Sequence, residues 1–400
     1  MAKNPNSVVL VRQLVDAFMR LPLKARIAIG VLCLLVGVVY YTLYQIAARS
    51  GPSDTSPDGS GSANPVVADE TLPLVNVQPA PVAFPPGSRT VEFCVWNMEN
   101  LFDDRDDKRR TVDEEYDNWF ARNAEDRRRK YEKLAGWLLK QNGGRGPDVI
   151  VGIEIESYRA AQLLQEQLNA GLPASAERYE HVVMKELDAG RYIAPCVISR
   201  YPLSDGVLHG RLLRILEVRV TVNGHDLTVI ASHWTSQLSD DGSRQSSGRN
   251  RYASVIADLY RSAIRANPKV DFLVCGDFND TPESEPVLNK LRMVGDARRV
   301  TADADPPRLF GLLSGKDPAE YGTYFYNKPL IYDQIGVSPG LLDDHGWGYV
   351  PDSVRVPTEG LVRFGSRGRR PWRYGSERDD ALGRGFSDHF PVLATFRVSP

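Results

Sequence analysis

Residues 272–280 read FLVCGDFND. Phe272 to Cys275 form a short, uninterrupted apolar run, the pattern of a strand covered on both faces. A glycine follows, and then Asp277, Asn279 and Asp280 crowd two carboxylates and an amide into four positions. Oxygen ligands and hydrogen-bonding groups at the tip of a buried strand point to a site at the edge of a sheet, not to a solvated turn alone. The fold reading rests on whether other strands end the same way.

They do. Asn97 and Glu99 follow VEFCVW (91–96), Glu154 and Glu156 close DVIVGI (148–153), and His233 follows DLTVIAS (226–232). Asp333 opens the strand-like DQIGVS, and Asp388-His389 introduces FPVLATFRV (390–398). Between these runs lie helical patterns. KYEKLAGWLLKQNGG (130–144) puts Tyr131, Leu134, Ala135 and Leu138 on one face, with Gly143 beyond its end. YRAAQLLQEQLNAG (158–171) is a second helix, and a longer one is expected from about Arg249 to Arg265. LEVRVTV alternates apolar and polar residues and turns at Asn223-Gly224 into the next strand, a hairpin signal that makes the sheet mixed, not purely parallel. The expected architecture is an α/β sandwich of mixed sheets and helices.

Length and composition fit that reading. The chain has 400 residues, 42% of them hydrophobic, enough for a substantial core. A formal net charge of −2 excludes a polycation that coats nucleic acid by nonspecific phosphate neutralisation, so any such contact must be local. Cys33, Cys94, Cys196 and Cys275 show neither metal-type spacing nor a disulfide framework and are expected to be free, buried thiols.

The N-terminal part is built differently. Residues 27–48, IAIGVLCLLVGVVYYTLYQIAA, carry no formal charge and are about long enough for a bilayer core, which needs roughly 20 residues. Lys3, Arg12, Arg20, Lys24 and Arg26 precede them against Asp16 alone. The positive-inside rule then expects residues 1–26 to be a cytoplasmic flank, residues 27–48 a transmembrane signal anchor, and the rest exported. Residues 49–88, rich in Gly, Ser and Pro, read as a linker, which leaves residues 89–400 as the catalytic domain.

Carboxylates and amides suit a hard divalent cation, and histidines suit phosphate stabilisation and proton transfer. No GxxxxGK phosphate loop, GxSxG elbow or zinc spacing is present. Each polar residue alone also has a structural explanation, since strand-end carboxylates often satisfy turn amides.

In order, WNMENLFD, VGIEIES, SHWTS, GDFND, YDQIGVS and SDHFPV resemble the endonuclease/exonuclease/phosphatase (DNase I-like) superfamily, in particular its nuclease-like bacterial members. The resemblance covers residues 90–398 and implies a four-layer sandwich, two mixed β-sheets face to face with helices outside. It implies Glu154 as the principal metal-binding residue, with Asn97, Glu99 and Asp388 completing or supporting that environment. His389 is implied to activate water or bind the scissile phosphate, with Asp333 as its orienting partner. Asp277 and Asn279 are implied to position the nucleophile and phosphate oxygens, and His233 to donate to the phosphate. Mg²⁺ is the expected cofactor, with Mn²⁺ or Ca²⁺ as alternatives. Gly276 is expected to let the backbone approach the reacting phosphate, and Asp280 to cap the turn before Pro282.

For substrate, RFGSRGRRPWR (363–373) places Arg369, Arg370 and Trp372 in a basic loop shortly before Asp388, suited to phosphates and stacked bases or else to a solvated loop paired with Glu377, Asp379 and Asp380. The charge-dense segment 103–126 is expected to be a solvated, salt-bridged loop. The expectation is a membrane-anchored, metal-dependent phosphodiesterase acting on DNA or RNA. A sphingomyelinase-like or inositol-phosphate phosphoesterase, and a non-catalytic binding protein on the same fold, are the rivals.

Overall fold

The computed structural model describes residues 74–210, 212–236, 245–363 and 368–400. The anchor expected at 27–48 and its flank lie outside the described residues, as does Cys33. Among the described residues no helix is long and apolar enough to cross a membrane.

Two mixed sheets form the domain. The first contains β1 (Arg89–Leu101), β2 (Val149–Ile155), β3 (His181–Met184), β4 (Ala194–Ser199), β14 (Trp347–Tyr349) and β15 (Val392–Val398), in the order β14-β15-β1-β2-β4-β3. The second contains β5 (Val207–Leu208), β6 (Ile215–Val222), β7 (His225–His233), β8 (Phe272–Asp277), β9 (Met293–Val294), β10 (Leu309–Gly311) and β13 (Asp333–Val337), in the order β5-β6-β7-β8-β13-β10-β9. A short pair, β11 (Tyr324–Tyr326) and β12 (Lys328–Leu330), stands apart. Each main sheet has a parallel pair near its centre, β1 with β2 and β7 with β8, flanked by antiparallel partners. The hairpin at Asn223-Gly224 joins β6 to β7, with Val222 opposite His225.

Side-chain parity explains both the packing and the position of the site. Along β8, Leu273 and Cys275 join the core between the sheets, whereas Phe272 and Val274 pack with Ile256, Tyr260 and Ile264 of the helix Gln245–Ala266. Along β7, Leu227, Val229 and Ala231 point inward and Ile230 faces that helix. In a strand successive side chains alternate, so Asp277 and His233 inherit the inward face at the strand ends. Asp333 shares its parity with Ile335 and Val337, which also lie in the inner core. The register places His233 opposite Asp277 and Asp277 opposite Asp333, one row across three strands.

Helices α1 (Asp113–Arg122), α2 (Ala124–Leu138) and α3 (Tyr158–Gly171) belong to the side of the first sheet. Tyr131, Leu134, Ala135 and Leu138 of α2 are buried, as the periodicity predicts. Cys94, Cys196 and Cys275 are free and buried. Two expectations are corrected. The segment 103–126 is not simply a solvated loop, because α1 buries Trp119 and Phe120 against Phe102 and Tyr374, and that aromatic contact outweighs the local charge density. The linker is also shorter than its composition suggests: Asn76 donates its side-chain amide to the Ser314 carbonyl at 2.7 Å and Val77 bridges to Asp296, so residues from 74 onward lie on the domain.

Candidate active site

Strand ends from both sheets converge on a cavity of about 390 Å³ lined by Glu154, His233, Asp277, Asn279, Asp388 and His389, with Arg191, Arg214 and Tyr324 among its other residues. Its floor is tightly hydrogen-bonded. Asp277 Oδ2 accepts from Asn97 Nδ2 at 3.0 Å, and Asp277 Oδ1 accepts from the Asn279 backbone N–H at 2.8 Å. Asn279 Nδ2 donates to the Trp234 carbonyl at 3.1 Å. Glu154 Oε2 accepts from the Asn100 N–H at 2.9 Å, which ties the end of β2 to the end of β1.

Backbone strain concentrates here. Glu99, Asn100, Glu154 and Asn279 all adopt left-handed φ, at 49°, 54°, 65° and 48°, conformations that persist in non-glycine residues when their surroundings hold them. Lys130, fully buried, reaches up from α2 to the carbonyls of Glu99 and Asn100 and holds that turn. Gly276 has φ +134°, and a Cβ there would sit 1.9 Å from the Ser232 carbonyl oxygen. The close approach that requires glycine is therefore to β7, not to a phosphate: it lets His233 and Asp277 stand side by side.

The two histidines differ. His389 Nδ1 bonds Asp333 Oδ2 at 2.7 Å, and its Nε2 is 3.8 Å from Asp277 Oδ2. Burial would lower its pKa, but Asp333 and Asp277 outweigh burial and raise it well above the ordinary histidine value. His233 has no such partner. Its Nδ1 is buried without a hydrogen bond, and its Nε2 is 3.6 Å from Glu154 and 3.7 Å from Asp277. Burial first, then Arg214 and Arg191, press its pKa well below the ordinary value, so it is a neutral imidazole at physiological pH.

The carboxylates repel one another. Burial, with Asp333 and Glu154 adding, pushes Asp277 up to about 7 against the pull of His389. Asp388 is raised by burial and by Glu154, again against His389. Glu154, Asp277 and Asp388 all line the cavity and supply hard oxygen donors whose mutual repulsion a divalent cation would relieve, and Asp277, Asp333 and His389 bring ligand atoms within 4.8 Å of one another, so the residues present fit such an ion. Asn97 and Glu99 stand behind these carboxylates. The Asn97 amide is shared between Asp277 and the Glu99 N–H, and the Glu99 carboxylate accepts from the N–H groups of Tyr374 at 2.6 Å and Gly375 at 3.1 Å. They buttress the site and do not line the cavity.

The basic loop is not brought to the cavity. Arg369 donates to the Val356 carbonyl at 2.9 Å and lies over Phe390, Arg370 lies over Phe325, and Trp372 donates to the Gly383 carbonyl at 2.7 Å. These side chains pin the loop to the domain, and Arg373 pairs with Glu99 and Asp379. Asp280 does cap the turn, through the Thr281 N–H, and also pairs with Arg249 at 2.7 Å. Sequence reasoning missed Arg191 and Arg214. Neither belongs to a polar strand end, and only the folded chain sets them beside His233.

Residues 206–397 match the Endonuclease/Exonuclease/phosphatase family. Over that segment the chain is similar to the endonuclease/exonuclease/phosphatase family. The matched segment runs from β5 to β15 and holds His233, Asp277, Asn279, Asp333, Asp388 and His389. The fold returns Asn97, Glu99 and Glu154 to them from outside it. No curated protein matches the chain in sequence. Among solved structures, truncated Caenorhabditis elegans TDP2 is similar at 13% identity over 77% of this chain and 97% of that one, with a TM-score of 0.47. A double mutant of beta toxin from Staphylococcus aureus with bound magnesium ions is similar at 15% identity over 78% and 100%, with a TM-score of 0.48. D. rerio TDP2 complexed with single strand DNA product is similar at 17% identity over 77% and 98%, with a TM-score of 0.45.

Proposed function

We propose that this protein is a member of the endonuclease/exonuclease/phosphatase superfamily and a divalent-metal-dependent nuclease that hydrolyses a phosphodiester of DNA or RNA by water attack. The observation that carries the reading is the cavity itself, lined by three carboxylates, two arginines and His389, which Asp333 holds from behind.

The side chains divide the work by charge. Asp277, poised near neutrality and fixed by Asn97 and Asn279, accepts the proton of the attacking water. His389, held by Asp333 and carrying a proton at neutral pH, donates from Nε2 to the phosphate or to the leaving oxygen. His233 offers a hydrogen bond to a phosphoryl oxygen, where negative charge grows in the transition state, while the Asn279 amide, donating to Trp234 and Asp277, holds Asp277 in place. Glu154 with Asp388 would hold the cation, and Mg²⁺, which accepts one or two carboxylates plus waters, would supply further stabilisation of that charge.

The sequence of residues 1–48 supports attachment to a membrane through residues 27–48, with the catalytic domain on the exported side. The test is hydrolysis of plasmid DNA, RNA, sphingomyelin vesicles and inositol phosphates by the purified chain with Mg²⁺, Mn²⁺, Ca²⁺ or excess EDTA. Cleavage of nucleic acid that EDTA abolishes is expected. Full activity in EDTA removes the metal, and turnover of only the lipid or the inositol phosphates removes the nuclease. Membrane fractionation with and without residues 27–48 tests the anchor, and an unchanged soluble fraction rejects it.

A further inference from the structure

The two arginines that line the cavity are held in place, not merely present. Arg191 Nε bonds Asp113 Oδ1 at 2.5 Å, and its Nη2 donates to Asn100 Oδ1 at 2.6 Å. Asp113, fully buried at the start of α1, also accepts the Tyr192 N–H at 2.8 Å. Two of the three guanidinium nitrogens are therefore fixed, which sets the plane of the group where it lines the cavity. Arg214 Nη2 donates to the Trp234 carbonyl at 2.9 Å, and its backbone N–H donates to the Tyr252 hydroxyl at 3.2 Å. No carboxylate pairs with Arg214 among the described residues. Both guanidinium groups flank His233 and face the same space.

A scissile diester carries one charge, and the carboxylates with their cation, together with His233, already serve it. Two oriented guanidinium groups beyond that exceed what one phosphate requires. Guanidinium groups suit the fork geometry of a phosphate, and both of these line the cavity.

Resting on the phosphodiesterase reading above, we propose that Arg191 and Arg214 form a second-phosphate subsite, so that the preferred substrate carries a phosphate next to the scissile one, as a nucleotide chain does and an isolated diester does not. Asp113 acts here through Arg191, as a positioning residue. The segment that carries α1 thereby contributes to substrate choice without touching the reacting atoms.

The experiment compares unlabelled thymidine dinucleotide, with one phosphate, and trinucleotide, with two, as competitors of a labelled oligothymidylate for the full chain in EDTA. Their kcat/KM values are then measured in Mg²⁺. The trinucleotide is expected to bind about tenfold more tightly, the scale of one charge-assisted contact. Arg191→Ala and Arg214→Ala each shrink that ratio toward one and reduce the salt slope by about 0.7. Arg191→Lys restores part of it, and thermal melts check that the variants fold. Equal binding of the two competitors, or a ratio that survives both alanine variants, overturns the subsite. Absence of hydrolysis in Mg²⁺ counts against the nuclease reading, while the binding ratio still decides the subsite. Hydrolysis with equal binding removes the subsite and leaves the nuclease.

Discussion

The two ends of β8 carry the same perturbation and have different consequences. Asp271, just before the strand, and Asp277, its last residue, each have a carboxyl that burial pushes up to about 7. Asp271 meets one backbone N–H, from Trp347 at 2.9 Å, and a distant carboxylate, Asp343. Asp277 meets Asn97, Asn279 and two histidines, beside a cavity that Glu154 and Asp388 also line. A shifted pKa thus marks both ends and identifies neither. What distinguishes the functional end is convergence, because only there do strand tips from both sheets deliver polar side chains to one space.

The sharpest way to break this comparison is to remove a carboxylate from each end. Asp277→Ala should lower kcat by about a thousandfold or more, since it removes the proton acceptor and frees Asn279. Asp271→Asn should stay within about twofold. Steady-state kinetics on one oligonucleotide checks both, and comparable losses would erase the distinction. His389→Ala belongs with Asp277→Ala in size, and calorimetric Mg²⁺ titration should show that it still binds metal.

His233→Gln tests the neutral histidine. It removes one donor to a developing charge without removing an orienting dyad, so a loss of about a hundredfold is expected, smaller than at His389. Since burial keeps His233 neutral despite Glu154 and Asp277 at 3.6 and 3.7 Å, its loss should leave the alkaline limb of the pH–rate profile in place, whereas a shifted limb would make it the titrating group.

Glu154→Gln separates chemistry from stability. The amide oxygen still accepts the Asn100 N–H while one negative charge leaves the crowded cavity. Mg²⁺ affinity should fall at least tenfold, yet Tm in EDTA should hold or rise by a degree or two, because repulsion with Asp277 and Asp388 is relieved. A large fall in Tm would mean that the carboxylate is structural.

The functional end was readable because its residues sit at the tips of apolar strands, where period-two alternation fixes their direction. Asp277, His233 and Asp333 follow from that alone once the register is known. Arg191 and Arg214 were hidden because each lies outside a polar strand tip, and their meaning arises from a partner distant in the chain, such as Asp113. Helix α1 was obscured by its own charges: Trp119 and Phe120 are adjacent, so no clear helical period appears, and their burial depends on Phe102 and Tyr374. Gly276 announced a close approach but not its partner. The basic loop misled by composition, since arginines beside a tryptophan serve equally to fasten a loop to its own carbonyls and rings.

The far end of β8 yields the smallest effect and an independent check. The folded pKa of Asp271, about 7, stands above an unfolded value of about 3.9, so the folded chain retains a proton that the unfolded chain releases. Its contribution to stability is complete below about pH 4, declines as pH rises, and is lost as pH passes through about 7. Asp271→Asn keeps an acceptor for the Trp347 N–H and removes the titration. Between about pH 5 and pH 8 the wild-type Tm should therefore fall relative to that of the variant, with kcat equal in the two at every pH. Parallel Tm curves would show that Asp271 does not hold its proton. A divergence in kcat would show that the two ends of the strand are coupled, and that the site extends further down β8 than its cavity.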